Sequence, residues 1–376
     1  MLGAERLAAV MNGKKPDRVP VMPKIWVNLA ARLTGTDLAQ IIEKPRTATQ
    51  VVIDAARQIG IDGARLFLFP ARRIRRDGGR LIEVDPAGRR LGEIDMEGGL
   101  ATRLDRWDDF RIDDPYHLAF RTSWSHEKPF LQTEADLARM NVPDKSFYEA
   151  HGYGDLAREM LAHAGDHVGL AGDCDSATLA FCVSLRGMQQ ALLDLIDAPH
   201  LVHRLMEKGS TYAIERGKFL VDCGLRILRL NDSVGNMSVI SPRLWKEFVY
   251  PHMKEVCHEL HAYCPEARIY CHICGNVLPI VEPLVETGLD CIAPLDPLGG
   301  FTVADVRRRV GDRYVLMGGV NTMSFVHSSP EELRAEALRC IEEGNRHGAF
   351  VLGSGCALPG DAKPENLEAL VQAATA

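Results

Sequence analysis

RIYCHICGNVLPIVEPLVETGLDCIAPLD, residues 268–296, contains two short apolar runs, RIYCHIC and DCIAPLD, joined by an amphipathic segment. Runs that stay apolar from end to end read as strands covered on both faces, and a helical crossover between two such strands makes them parallel. The same unit repeats in both directions along the chain. Toward the N-terminus lie RVPVMPK (Arg18 to Lys24), GARLFLF (Gly63 to Phe69), HVGLAGD (His167 to Asp173) and RILRLND (Arg226 to Asp232). Toward the C-terminus lie YVLMGGV (Tyr314 to Val320) and FVLGSGC (Phe350 to Cys356). Eight strands alternating with helices predict an α/β fold, a closed (β/α)8 TIM barrel.

The helices between them announce their ends. Ser329-Pro330-Glu331-Glu332 is a capping box with proline at the first helical position, and Gly344 closes that helix. Thr302 with Asp305 opens another before Gly311, and Ser241-Pro242 opens a third. Residues 77–104 break the rhythm: short β segments separated by Asp-Gly, Pro-Ala-Gly and Gly-Gly turns predict a small hairpin insertion after the second strand. Residues 105–150 look irregular or partly helical and are placed to cover the barrel mouth. The expectation is one domain, residues 1–376, carrying an insertion.

With 46% hydrophobic and 25% charged residues in 376, the composition is that of a globular chain with a large core. A net charge of −7 argues against a surface that gathers nucleic acid or anionic lipid. The basic cluster Arg72, Arg73, Arg75 and Arg76 reads as a solvated loop. The opening MLGAERLAAVMNGKKPDRVP scatters charge through a helical pattern, unlike a signal peptide, and no run reaches transmembrane length. The expected location is therefore cytoplasmic, and the ten cysteines are expected to be thiols.

In such a barrel the working residues come from the C-terminal ends of the strands. Asp173 and Asp175 end the third strand, Asp232 the fourth, His272 and Cys274 the fifth, Asp296 the sixth and Cys356 the eighth, while Asn321 follows the seventh. Side chains alternate along a strand, so His272 and Cys274 share one face, with Cys271 and Ile273 on the other. An imidazole and a thiol on one face, with Cys356 as a third donor, match a catalytic zinc site: three protein ligands and one open position. The soft donors favour zinc over magnesium or calcium. An ordinary core also uses cysteine in this way, and Cys174, Cys182, Cys223, Cys257, Cys264, Cys291 and Cys340 are read as packing residues. A redox pair at Cys271 and Cys274 is disfavoured because a strand points the two apart.

The chain resembles the uroporphyrinogen decarboxylase superfamily, and within it the branch of zinc-containing, cobalamin-dependent methyltransferases. The resemblance is carried by RLAAVMNGKKPDRVPVMP (6–23), LRGMQQALLDLIDAPHLVHRLM (185–206), SPRLWKEFVYPHMKEV (241–256), HICGNVLPIVEPLVETGLDCIAP (272–294), LMGGVNT (316–322) and GSGCALPGDAKPENL (353–367). It implies that the His-x-Cys and Cys zinc ligands fall on His272, Cys274 and Cys356. It also implies a small-molecule thiol on zinc as methyl acceptor, and a methyl donor in cobalamin, either free or on a corrinoid protein. The decarboxylases carry an Arg-x-x-Gly-Arg motif after the first strand, where this chain reads Pro23-Lys24-Ile25-Trp26, and a histidine where it has Cys356. Decarboxylation of uroporphyrinogen is therefore not expected.

Around the triad, Asp296 is a candidate fourth, displaceable ligand or else an acid that fixes a loop. Asp232, with Asn231, and Asp173, with Asp175, are candidates to orient substrate; for Asp232 the other reading is a turn-former before Gly235. Asn321 is a candidate cofactor contact, because Gly318 and Gly319 would let a ligand approach the backbone. Two other functions fit the same ligands. One removes methyl from a methoxy compound, methylamine or halide to a Co(I) corrinoid, with Trp107, Tyr116 and Trp124 available for an aromatic substrate. The other is a barrel that binds zinc and corrinoid without turnover. A homodimer is possible through exposed barrel helices.

Overall fold

The computed structural model describes residues 1–96 and 99–375. The barrel strands are β1 (Gly63–Leu66), β7 (Gly169–Asp175), β8 (Ile227–Asn231), β9 (Arg268–His272), β10 (Cys291–Leu295), β11 (Val315–Val320) and β12 (Phe350–Ser354), with β2 to β6 in the insertion. They form one curled parallel sheet in the order β1-β7-β8-β9-β10-β11-β12. The remaining gap, between β12 and β1, is filled by the predicted first strand. That segment makes only isolated bridges, Val21 to Leu352 and Lys24 to Ala357. On the other side, the amides of Asp62 and Gly63 donate to the Val21 carbonyl at 2.9 and 3.2 Å. Pro20 and Pro23 have no N–H to give, so this eighth stave cannot carry a full ladder.

Side chains reinforce the seam. The buried Asp62 carboxylate accepts from Arg6 Nη1 (2.5 Å), Arg18 Nη1 and Nη2 (2.7 and 2.9 Å) and the Val21 amide (2.8 Å). Leu7 and Val10 of the helix Gly3–Met11 plug the lower end of the barrel and pack with Met22, Ile227, Tyr270 and Met317 in one interior cluster. Since side chains alternate, Arg229 and Asn231 follow Ile227 inward, and His272 follows Tyr270. The barrel lumen therefore changes from apolar at the base to charged at the C-terminal rim. The predicted capping boxes at Ser329 and Thr302 and the cap at Ser241 are all present.

The insertion is larger than the sequence predicts. Strands β2 (Arg73–Asp77), β3 (Arg80–Val84), β4 (Arg90–Ile94), β5 (Thr102–Leu104) and β6 (Trp124–Ser125) form a second sheet in chain order. The arginine cluster is thus a strand and not a solvated loop. Arg73, Arg75 and Arg76 suit an exposed edge, and Arg72 turns inward and is buried. Gly78 and Gly79, both at positive φ, make the two-residue turn between β2 and β3. The expected Gly-Gly turn at 98–99 falls in part on residue 98, outside the described residues. Beyond β5 come the short helices Pro115–Ala119, Glu134–Arg139 and Lys145–Ala150. Among the described residues no single helix is long and apolar enough to cross a membrane.

Candidate functional site

His272 ends β9, Cys274 stands two residues beyond it, and Cys356 follows β12. Their donor atoms lie within 4.8 Å of one another, and this is the trio that could hold a metal ion. Cys356 Sγ is 3.8 Å from His272 Nε2. Burial, with Lys24, Arg229 and Arg65 nearby, pushes the His272 pKa well down, so the ring is neutral, the form that ligates a metal. The closeness of the Cys274 and Cys356 sulfurs, with Lys24 nearby, lowers the Cys356 thiol to about 6 and raises that of Cys274. Two sulfurs thus share one proton, which a divalent cation would displace.

Lys24, absent from the sequence-derived candidates, belongs to this centre: its Nζ lies 3.3 Å from His272 Nε2. Burial beside Arg229 and Arg65 brings its pKa down to about 7. It reaches the site because the irregular first stave delivers it to the rim, with its amide held by Ser354 Oγ at 3.0 Å.

Lys24 also lines a cavity of about 300 Å³ beside the triad. One wall is aromatic: Trp26 lies 4.7 Å from Phe67 and 6.0 Å from Phe69, ring centre to ring centre, and Phe120 joins them. The polar part holds Asp173, Asp175, Arg229 and Asn231, as the strand-end reading expects. Asp173 accepts from Arg229 Nη1 at 2.6 Å, and Arg229 Nη2 donates to Asn231 Oδ1 at 2.8 Å, so this floor is braced by its own pairs. Phe67 and Phe69 were readable from strand alternation just past the end of β1. Trp26 gave no such signal.

Other candidates are engaged in hydrogen bonds of their own. Asp296 is outside the converging trio but close enough to act on both of its sulfurs, and its two oxygens accept the amides of Gly275 (2.9 Å) and Leu298 (3.1 Å), which ties the loop after β9 to the end of β10. Asp232 is buried and does not line the cavity; its carboxylate accepts the Ala180 amide at 2.6 Å, and its carbonyl accepts from Gly235 at 2.8 Å in a tight turn. Asn321 Oδ1 accepts the Met323 amide, a local turn away from the cavity. The close approach at Gly318 is made by the Leu295 backbone, 2.5 Å from where a Cβ would stand, and not by a ligand. Trp107, Tyr116 and Trp124 brace the insertion instead of lining the cavity: their polar atoms bond Pro129, Ala71 and Glu83.

The sequence profile described as uroporphyrinogen decarboxylase (URO-D) matches residues 2–69 and 124–376. The chain belongs to the uroporphyrinogen decarboxylase family. The unmatched residues, 70–123, are nearly the whole of the insertion. Among curated relatives, the uroporphyrinogen decarboxylase of Chlorobium chlorochromatii is 22% identical over 349 residues, 90% of this chain and 86% of its own. The methylated-thiol–coenzyme M methyltransferase of Methanosarcina mazei is 24% identical over 176 residues, 46% of this chain and 44% of its own. A solved methyltransferase from Methanosarcina mazei superposes with a TM-score of 0.70 at 16% identity, covering 100% of this chain and 98% of that one, which shows the shared barrel fold.

Proposed function

We propose that this family member is a zinc-dependent methyltransferase that moves a methyl group between a corrinoid and a small-molecule thiol. The observation that carries the reading is the convergence of His272, Cys274 and Cys356 at the barrel mouth. Tetrahedral zinc bonds of about 2.3 Å to sulfur and 2.0–2.1 Å to nitrogen space the donors by roughly 3.5–3.8 Å, and Cys356 Sγ and His272 Nε2 stand 3.8 Å apart. A neutral imidazole and an acidified thiol are the forms that bind a metal. When bound, zinc would supply the acidity that turns a thiol into a thiolate at neutral pH.

The chain's own residues have definite parts in this reading. Cys274, Cys356 and His272 hold the ion and leave one position open. Lys24, with Arg65 and Arg229 behind it, gives the centre a positive surround that favours an anion at that position. The aromatic wall excludes water and orients the methyl acceptor. A corrinoid exceeds a cavity of about 300 Å³ and would approach from outside the mouth, free or on a carrier protein. The methylated-thiol relative supports this assignment over decarboxylation, as does Lys24-Ile25-Trp26 standing where the decarboxylases carry arginines.

The aromatic wall favours one further reading, in which a methylated aromatic compound gives its methyl to a reduced corrinoid at the same triad. Both readings are tested on purified protein by elemental analysis, followed by corrinoid spectra after adding a thiol or a methoxy compound. About one zinc per chain, lost in Cys356→Ser and His272→Ala together with methyl transfer, is the expected result. Absence of zinc after reconstitution would overturn both, and zinc with no transfer from any donor would leave a binding barrel.

A further inference from the structure

We propose that the cavity beside the triad binds a flat, aryl-bodied anion whose charge pairs with Arg72. Arg72 lines the cavity from the insertion side and is only 8% exposed. Its Nη1 donates to Thr102 Oγ1 at 3.1 Å and to the Ser123 carbonyl at 3.3 Å, while its Nη2 has no hydrogen-bond partner and, unlike the enclosed Nε, keeps accessible surface. The nearby carboxylate, Glu83, stands 3.9 Å away and already accepts from Thr102 and Trp124. Burial raises the Glu83 pKa, which weakens it as a counter-ion. A buried guanidinium with a donor to spare, at the edge of a cavity, is suited to a carboxylate or a similar planar anion.

The body of the ligand follows from the wall between Arg72 and the strand ends. Phe67 and Phe69 lie on the chain that leaves β1 and leads to Arg72, and Trp26 meets both edge-on. Arg229 lies 5.7 Å over the far side of the wall, at Phe67. Edge-to-face rings at these distances form a continuous aromatic wall against which a ring can pack, and about 300 Å³ holds one substituted ring. Arg72 lies in residues 70–123, outside the segments that the family profile matches. That the ligand's other end, bearing methyl or thiol, faces His272, Cys274 and Cys356 rests on the proposed function; the binding does not.

The test is calorimetric titration of the zinc-loaded protein with 4-methoxybenzoate and with its neutral partner 4-methoxybenzamide. The expected result is that the carboxylate binds at least tenfold more tightly than the amide, that Arg72→Gln abolishes this preference, and that Arg72→Lys keeps part of it. Equal binding of the two probes by wild type overturns the proposal, with no variant needed. So does a preference that survives in folded Arg72→Gln, or one that disappears in Lys24→Met instead. Zinc content and methyl transfer are read on the same samples. Carboxylate-selective binding without methyl transfer upholds this inference while the proposed activity fails, and transfer to thiols without such binding does the reverse.

Discussion

Asp232 is fully buried, with one carboxylate oxygen on the Ala180 amide and the other without a partner. Burial lifts its pKa to about 6, above the value of about 3.9 for an unfolded chain. The folded protein therefore holds this proton more tightly than the unfolded chain does. The associated stability is full below about pH 4 and is lost as pH rises through about 6. Asp232→Asn keeps the acceptor and cannot ionise, so in urea titrations it should gain on wild type by up to about 3 kcal/mol between pH 4 and pH 8; parallel pH profiles would contradict this. Lys24 gives a second prediction at this scale. Lys24→Met removes a cation beside the triad without removing a donor, so zinc should stay near one per chain while methyl transfer falls about 10- to 100-fold. Unchanged turnover would exclude Lys24 from the chemistry. The triad was legible because strand alternation puts His272 and Cys274 on one face and the chain's end brings Cys356 to the same rim. Lys24 was not, since its stave shows no clean alternation and its neighbours drew notice only for lacking arginine. Asp296 and Asn321 sat at the right chain positions, but backbone amides occupy their oxygens, those of Gly275 and Leu298 for Asp296 and that of Met323 for Asn321, which strand-end position alone does not reveal.

At the scale of elements, seven barrel strands follow the apolar runs within a few residues. The eighth follows its run only as isolated bridges, because two prolines interrupt it. Its attachment depends on Asp62 instead. Asp62→Ala would leave Arg6 partly buried with one carboxylate partner fewer and release Arg18 and the Val21 amide, at a cost of about 3–5 kcal/mol. Equilibrium unfolding in urea measures this, and a loss below about 1 kcal/mol would mean that the seam is held by packing alone. The insertion was legible from its turns between 77 and 104, yet its first strand was missed. Arg73 to Asp77 carries few apolar side chains because it lies at the sheet edge in water, and charge patterning cannot separate such a strand from a loop.

At the scale of the whole molecule, buried arginines join the insertion to the barrel, and Arg121 makes most of these bonds from the insertion's side. Arg121 is inaccessible to solvent: it donates to Ser176 Oγ (2.5 Å) and Ser184 Oγ (2.8 Å), faces Asp175 at 3.3 Å, and stacks on Phe181 and Tyr212. Arg121→Met should loosen the cover of the cavity, so that limited proteolysis cuts faster between residues 105 and 130 while zinc content stays as in wild type. Protection equal to wild type would show that the rest of the insertion holds the cover by itself. The seam has a different implication, for biogenesis. It ties residues near the start of the chain to Leu352 and Ala357 near its end, and Cys356 lies in the same late segment. On a ribosome the stave at 18–24 emerges before the other barrel strands and waits through their synthesis for its partner. Until then the sheet stays open and the donor set is one sulfur short. Ring closure and completion of the triad are thus one late event, which, on the proposed function, would keep a half-made chain from sequestering zinc in a finished site.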